Sequence, residues 1–438
     1  MLPSDLSSVS ASRGLLALSP VAVFLCLYLV VSLVIGDFYK MPLSVALLAA
    51  SMWSVAIYSR GGSLVQRIET FSRSAGHTNI LYMIWIFILA GAFASLAKEI
   101  GAIDATVNFT LRFFPSRFIV PGLFVAACFI SLSIGTSVGT VVALSPLAVE
   151  MASASGASLP FYVAVVLGGA FFGDNLSFIS DTTIAATRSQ GCNMADKFKA
   201  NLWIALPAAL VTLGIYVFMS IGTPEVAVGD SADPWLILPY LVVLVAAVAG
   251  VNVTIVLTLG IVTALVMGLM YGHDIISLFG FMGAGIDSMG ELIIVTILAA
   301  GMLGVIKAAG GIQYLLRVLT SHVSGVRGAQ ACVAFLAGLV NLCTANNTVA
   351  IITVGSISRD IGERFGIDLR KNASLLDSSS CIVQCLIPYG AQTLLASSLA
   401  GIAPAAPFPY LYYPWALAMM VALSIIFQFP RRLNQAVR

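Results

Sequence analysis

Charged side chains are scarce in this sequence. Asp, Glu, Lys and Arg make up 9% of its 438 residues, and hydrophobic residues make up 59%, whereas an average soluble domain is about 25% charged. This composition excludes a soluble globular protein and predicts a chain that crosses the membrane several times. The formal net charge is +2, and the basic residues are scattered at the ends of apolar segments, so nucleic-acid binding is not indicated.

Cysteine is also rare. The seven cysteines lie mostly within apolar segments, which is typical of small buried thiols and not of a disulfide framework. Cys381 and Cys385 have helical spacing, but no matching Cys or His pair stands elsewhere to complete a closed metal site. The sequence therefore predicts no cofactor.

Apolar segments recur in two series that are offset by roughly 210 positions. Windows of about 20 residues, the length of a membrane-crossing helix, give six segments in residues 1–222 and six in residues 235–438, joined by a hydrophilic extracytoplasmic linker at 223–234. GTSVGTVVA (135–143) aligns with CTANNTVAI (343–351), which places Thr136 over Thr344 and Thr140 over Thr348. The chain is predicted to be a tandem repeat.

The fourth segment of each half decides the topology. Residues 118–152 are too long for one straight crossing and are interrupted by SIGTSVGT, so a re-entrant helical hairpin is predicted. Five crossings plus a hairpin make the halves inverted, whereas a crossing fourth segment would make them parallel. The inverted arrangement places 17 of the 21 basic residues in the cytoplasm, Lys197 and Lys371 among them, as positively charged loops prefer.

The predicted fold is thus an all-α membrane protein with about ten transmembrane helices and two hairpins that enter from opposite sides. Both termini are expected in the cytoplasm and the protein in the inner (cytoplasmic) membrane. Inverted repeats with broken helices are typical of secondary transporters, which bind substrate near the membrane midplane.

Two aspartates stand out in GGAFFGDNLSFISDTT (168–183). An aspartate at the middle of a membrane helix costs roughly 2.5–3.5 kcal/mol, so Asp174 and Asp181 are expected to have a function. They could share one face of a continuous helix, but Gly173 and Asn175 favour a break. The alternative is that each aspartate only caps a helix start.

A third carboxylate, Asp377, lies in the second half. With Ser380, Cys381 and Gln384 it forms a polar stripe at helical spacing. At the offset of the hairpin alignment Asp181 falls on Tyr389 and Asp174 on Ile382, so the second half is not predicted to repeat the first-half carboxylates. Asp377 could instead lie at the interface, paired with Lys371.

Oxygen-bearing side chains accompany these carboxylates. Hard cations bind several oxygen ligands, although hydroxyls at a helix break could also serve only the backbone. Burial raises the pKa of a carboxylate and a bound cation lowers it, so one site can hold either a proton or sodium. The predicted ligands beside the three aspartates are Asn175, Ser177, Ser180, Thr182, the first hairpin tip (Thr136, Ser137, Thr140) and the second (Thr344, Asn346, Asn347, Thr348).

The segment GGAFFGDNLSFISDTTIAA (168–186) resembles the signature of NhaC-type sodium/proton antiporters. The resemblance implies an ion-transporter fold in which each repeat carries a hairpin with a Ser/Thr/Asn-rich tip. It also implies sodium ions and protons as the partners of the protein, beside the lipid bilayer, and a homodimer is compatible with it. Because relatives of this family exchange organic acids, coupled transport of an organic or amino acid is the alternative.

An intramembrane aspartyl protease would also need two membrane aspartates. Such enzymes carry Tyr-Asp and Gly-x-Gly-Asp, but here Phe171 occupies the first Gly position and no Tyr precedes Asp174 or Asp181. A protease also gives the repeat no role. A transporter, not an enzyme, is therefore predicted.

Overall fold

The computed structural model is helical throughout the residues it describes, which are 10–35, 42–58, 62–113, 116–177, 180–221, 233–249, 251–320, 323 and 325–429. This part of the chain contains no β-strand, and nine of its helices are long and apolar enough to cross a membrane. Helices satisfy their own backbone hydrogen bonds, as lipid requires. The chain is therefore a multi-pass α-helical membrane protein, as its composition predicts.

Each half contains ten α-helices within these residues. The first ten are α1 (Ala11–Ile35), α2 (Leu43–Ile57), α3 (Leu64–Ala75), α4 (Thr78–Glu99), α5 (Ala102–Phe113), α6 (Ile119–Ile134), α7 (Ser137–Ser155), α8 (Leu159–Leu176), α9 (Asp181–Gln190) and α10 (Met194–Met219). The second ten are α11 (Leu238–Val248), α12 (Val253–Met270), α13 (Ile275–Ser288), α14 (Gly290–Ala308), α15 (Gly311–Thr320), α16 (Gly325–Thr344), α17 (Asn347–Phe365), α18 (Leu369–Leu386), α19 (Ala391–Ala400) and α20 (Tyr412–Ile426).

The helices that flank the breaks begin at positions separated by the same spacing in the two halves. α7 and α17 begin at 137 and 347, α8 and α18 at 159 and 369, and α9 and α19 at 181 and 391, a spacing of 210 positions each time. The hairpin alignment predicted from sequence uses 208 and is wrong by two positions. Its matching Thr-Val pairs, 140–141 and 348–349, are not structurally equivalent.

The backbone explains the correct register. The helix arm before each tip ends at a residue with left-handed φ, Gly135 at 72° and Ala345 at 48°. A turn at this point fixes the register more strongly than side-chain identity does, because few residues adopt positive φ. Asp174 is therefore equivalent to Gln384, and not to Ile382 as the sequence alignment predicts.

The orientation of α6 follows from its contacts with α8. Phe124 packs against Gly168, and Ser131, two turns later, packs against Gly173 so closely that a Cβ on this glycine would overlap it. The contacts advance in the same direction along both helices. α6 and α8 are therefore parallel.

α7 runs the opposite way. Its first residue, Ser137, hydrogen-bonds Asp174 near the end of α8, and its last residue, Ser155, donates to the hydroxyl of Tyr162 near the start of α8 at 3.1 Å. α7 is therefore antiparallel to α8 and also to α6. α6 and α7 form a helical hairpin whose tip lies beside the end of α8.

The helices pack in two groups. α6–α10 pack mainly with α16–α20, a group named here the core bundle, while α1–α4 pack with α11–α14, named the outer bundle. In the outer bundle α4 crosses α13 at Gly91 and Gly285, where a Cβ at Gly91 would lie 2.3 Å from the carbonyl oxygen of Gly285. Such small residues allow membrane helices to approach closely. The breaks between α6 and α7, α8 and α9, α16 and α17, and α18 and α19 lie in the core bundle.

Candidate functional site

Four helix breaks meet around one cavity. They lie between α6 and α7, α8 and α9, α16 and α17, and α18 and α19. The cavity has a volume of about 170 Å³, and α4 of the outer bundle closes one side of it. Its lining residues are Tyr82, Met83, Ile86, Gly135, Thr136, Ser137, Val138, Asp174, Asp181, Thr182, Ala345, Asn346, Asn347, Thr348, Gln384, Ala391 and Gln392.

Asp174 lies on the cavity wall at the end of α8 and is 4% exposed. Its Oδ1 accepts the backbone N–H of Ser137 at 3.0 Å, and its Oδ2 accepts the Ser137 hydroxyl at 2.5 Å. The N–H groups of the first helical turn have no partner within the helix. Asp174 therefore caps the start of α7 from another helix, and the positive end of the α7 dipole stabilises its negative charge.

Asp181 lies across the α8–α9 break from Asp174. It is the first residue of α9, and its exposed side chain faces the cavity. The N-cap of α9 is Ser180, whose hydroxyl accepts the N–H of Thr183 at 3.2 Å. Asp181 is thus not the capping residue, and it has no hydrogen-bond or ion-pair partner among the residues that the structure describes. The two aspartates do not share a continuous helix.

The second half contributes neutral oxygens and amides to the opposite wall. Asn346 caps α17 by accepting the N–H of Val349 at 3.0 Å. Gln384 is 1% exposed, and its Oε1 is buried without a hydrogen-bond partner in the described structure. Asn347 and Thr348 complete this wall. It carries oxygen ligands but no carboxylate.

A chain of hydrogen bonds joins the two walls. Gln392 Nε2 donates to Ser137 Oγ at 2.9 Å, and Gln384 Nε2 donates to Gln392 Oε1 at 3.0 Å. Gln384 also donates to the carbonyl oxygen of Ala345 at 3.0 Å. Because Gln392 donates to the Ser137 oxygen, the hydroxyl proton of Ser137 is left to point toward Asp174. The carboxylate is therefore connected to the break of the other half.

Asp377 does not line the cavity. Its carboxylate is fully buried and forms an ion pair with Lys197 of α10 at 2.5 Å, and Asn201 donates to the same oxygen at 3.0 Å. The alternative in which Asp377 pairs with Lys371 is wrong, because Lys371 donates instead to Ser424 Oγ at 2.5 Å and to the carbonyl of Phe429 at 2.9 Å. The sequence does not show that oxygen atoms near a helix end inside the fold can accept hydrogen bonds from a buried lysine.

The charge-based topology places Lys197 and Lys371 in cytoplasmic loops, and the structure corrects this. Both residues lie within helices and both are 0% exposed. A basic residue at the end of an apolar segment can therefore face inward when buried acceptors surround it. Lys197 is the functional candidate that sequence reasoning misses most clearly.

The predicted ligands divide into two groups. The first group lines the cavity and consists of Asp174, Asp181, Thr182, Thr136 and Ser137 of the first hairpin tip, and Asn346, Asn347 and Thr348 of the second. The others are absent from its lining and serve the backbone or the helix packing instead. Thr140 donates to Thr136 O at 3.2 Å, Ser177 to Leu132 O at 3.1 Å, Thr344 to Asn346 O at 3.1 Å, Ser180 to Asp174 O at 3.0 Å and Asn175 to Phe171 O at 2.9 Å.

Gln384 and Gln392 line the cavity but are not among the predicted ligands. The corrected repeat spacing reveals both, since Gln384 is equivalent to Asp174 and Gln392 to Thr182. No lysine or arginine is present among the described residues that line the cavity. With two carboxylates and several neutral oxygens, the cavity is suited to a cation.

A multi-pass helical protein whose helix breaks surround an acidic cavity is a secondary ion transporter in its architecture. The comparison with protein families gives the particular family. The model of the Na+/H+ antiporter family matches residues 11–221 and 227–429, so the chain belongs to that family.

The sequences of three known antiporters align with most of this chain. The Malate-2H(+)/Na(+)-lactate antiporter of Bacillus subtilis is 22% identical over 93% of this chain and 94% of its own length. The Na(+)/H(+) antiporter NhaC of Bacillus subtilis is 25% identical over 81% of this chain and 84% of its own. The arginine/ornithine antiporter ArcD of Halobacterium salinarum is 22% identical, covering 90% and 88%.

A solved structure is also similar to the chain. The YdaH transporter of Alcanivorax borkumensis has a TM-score of 0.43 and 13% identity, covering 88% of this chain and 99% of its own.

Proposed function

We propose that the protein exchanges sodium for protons across the cytoplasmic membrane by alternating access, with Asp174 and Asp181 binding the two ions competitively. The observation that carries this proposal is the composition of the cavity, which has two carboxylates from the first half and neutral oxygens from both halves. A carboxylate that loses its proton becomes a cation ligand, and one that gains a proton loses that ability. One site can therefore carry sodium in one direction and a proton in the other.

The neutral oxygens support sodium in particular. Hard cations take several oxygen ligands, and Thr136, Thr348 and Gln384 bring hydroxyl and amide oxygens from both halves. The unpartnered Oε1 of Gln384 is buried, and a buried acceptor without a partner is costly unless a ligand satisfies it. A cation in the cavity would supply that partner.

Charge argues against an organic anion as the substrate. A carboxylate substrate is usually held by arginine or lysine, but the described lining residues include neither. Lys197 is already paired with Asp377, and Lys371 bonds to Ser424 outside the cavity. The malate/lactate antiporter of Bacillus subtilis is similar to this chain, so coupled transport of organic acids or amino acids is the alternative that the experiment must include.

The function is tested by reconstituting the full chain in proteoliposomes and measuring sodium-driven proton movement. Lactate, malate and arginine gradients are applied in parallel. We expect sodium gradients to move protons in the absence of any organic solute. Proton movement only when an organic solute is present would contradict the proposal and support the alternative.

We further propose that the two halves are inverted in the membrane and that both termini are cytoplasmic. The distribution of basic residues and the two helical hairpins support this orientation. Single cysteines at the exposed positions Arg188, Lys199, Arg359 and Arg364 should react with impermeant reagents only from inside, and those in 222–234 only from outside. Labelling of both ends of one half from the same side would contradict the inverted arrangement.

A further inference from the structure

Lys197 has a complete set of buried acceptors. Its ammonium group lies 2.5 Å from Asp377 Oδ2, 2.8 Å from the carbonyl oxygen of Asn175 and 2.7 Å from Thr183 Oγ1. An ammonium has three protons, so each proton has its own acceptor. The side chain is 1% exposed, so water is not needed to complete this arrangement.

Two of these acceptors lie on opposite sides of the α8–α9 break. The carbonyl of Asn175 is among the last four of α8, which have no partner within the helix, and Thr183 is in the first turn of α9. Lys197 therefore spans the break whose two sides carry Asp174 and Asp181. The distance between these carboxylates depends on how the break is held.

Asn201 strengthens the same connection one helical turn further along α10. It donates to the carbonyl of Asn175 at 2.8 Å and to Asp377 Oδ2 at 3.0 Å. Its own oxygen accepts the Ser374 hydroxyl at 2.5 Å and the Ser378 hydroxyl at 3.1 Å. α10 is thus tied on one side to the break and on the other to α18 of the second half.

We infer that Lys197 is a positioning residue that holds the α8–α9 break and thereby sets the arrangement of Asp174 and Asp181, while Asp377 is its counter-ion and not a cation ligand. This inference rests on the proposed function, because the two aspartates are taken as the exchange site. Asp377 already accepts from Lys197 and Asn201, and it is absent from the cavity lining. The carboxylate that the sequence suggests as a third ligand therefore has a different task.

The positioning role is tested with a matched pair of threonines in α9. Thr183→Val removes one of the three acceptors of Lys197 and leaves both charges in place. Thr187→Val removes a hydroxyl that is equally buried but donates to Thr183 O within its own helix at 2.8 Å. We expect Thr183→Val to raise the sodium KM about fivefold, since a hydrogen bond to a charged group is lost, and Thr187→Val to match the wild type. Equal KM values for the two variants would overturn the inference.

The counter-ion role is tested by thermal stability, which does not depend on exchange. Lys197→Met and Asp377→Asn should each lower the melting temperature by several degrees, because each leaves one buried charge unpaired. The double variant should recover most of that loss. Asp377→Asn should give no such recovery when combined with Lys371→Met, since Lys371 has other partners. A double variant no more stable than the singles would overturn the assignment.

The KM and stability experiments distinguish a failure of this inference from a failure of the proposed function. A wild-type protein without sodium-driven proton movement would refute the proposed function alone, and the stability comparison would still test the ion pair. Wild-type exchange with an unchanged KM in Thr183→Val would refute the positioning role alone.

Discussion

At the first-half breaks Ser131 donates to the carbonyl of Ala170 at 2.5 Å, and at the equivalent positions of the second half Asn341 donates to the carbonyl of Ser380 at 2.7 Å. The helix boundaries around these bonds coincide at a spacing of 210 positions. The helices that flank the breaks are therefore arranged alike in the two halves.

The charges at these breaks differ. The first half has Asp174, held by Ser137 at the start of α7, where the second half has Gln384, which donates to Gln392 and to Ala345 O. Asp181 corresponds to Ala391. The two breaks thus share one helix arrangement but differ in charge, because among the described lining residues only the first half supplies carboxylates, Asp174 and Asp181, to the cavity.

The largest effect is expected when the charged wall is made to resemble the neutral one. Asp174→Asn and Asp181→Asn keep the size and one oxygen of each side chain but cannot take up a proton. Each should reduce sodium-driven proton movement at least a hundredfold, roughly the contribution of an essential proton-transfer group. Circular dichroism and expression level provide the control for folding. Substantial exchange by both variants would show that the asymmetry has no functional role.

A change in the opposite direction should have a smaller effect. Gln384→Glu places a third carboxylate in the cavity, at the position equivalent to Asp174. Nearby like charges favour protonation, so protons should displace sodium at a higher pH than in the wild type, by about one pH unit. The measurement is the sodium KM in proteoliposomes between pH 6 and pH 9. An unchanged pH dependence would indicate that Gln384 does not share the site with Asp174.

The two hairpin tips provide the finest comparison. Thr348 lines the cavity, whereas Thr140 donates to Thr136 O within the first tip. Valine keeps the shape of threonine and removes its oxygen. Thr348→Val should therefore raise the sodium KM about threefold, as expected for the loss of one weak ligand, and Thr140→Val should not. Equal values would mean that neither hydroxyl contacts the ion, and the ligand role of the second tip would be withdrawn.

Composition and periodicity are sufficient to predict the membrane class and the helical content, and they single out Asp174 and Asp181, which the structure places on the cavity. Hydrophobic segments and intramembrane carboxylates have large transfer free energies, so they are visible in a single sequence. The approximate repeat is visible for the same reason. Its register at the tips is not, because Ala345 adopts a left-handed turn that its residue type does not signal.

The partners of the buried polar residues could not be predicted. The link between Gln392 and Ser137 joins positions 255 residues apart, and the pair of Lys197 and Asp377 joins two different halves. Such contacts depend on which helices are neighbours, and periodicity within one helix carries no information about that. Lys197 also resembles an ordinary interfacial lysine in its sequence context, which is why a rule for loop charges assigns it to the cytoplasm.

Competition between sodium and protons is the central claim, and the pH dependence of the wild-type sodium KM tests it most directly. A protonated carboxylic acid is a poor cation ligand, so the KM should rise as the pH falls. For one competing proton the rise approaches about tenfold per pH unit below the proton-binding transition. The measurement is the initial rate of sodium-driven proton movement in proteoliposomes over a range of sodium concentrations. A KM that stays constant from about pH 5.5 to 8.5, the range in which a buried carboxylate is expected to titrate, would contradict the account.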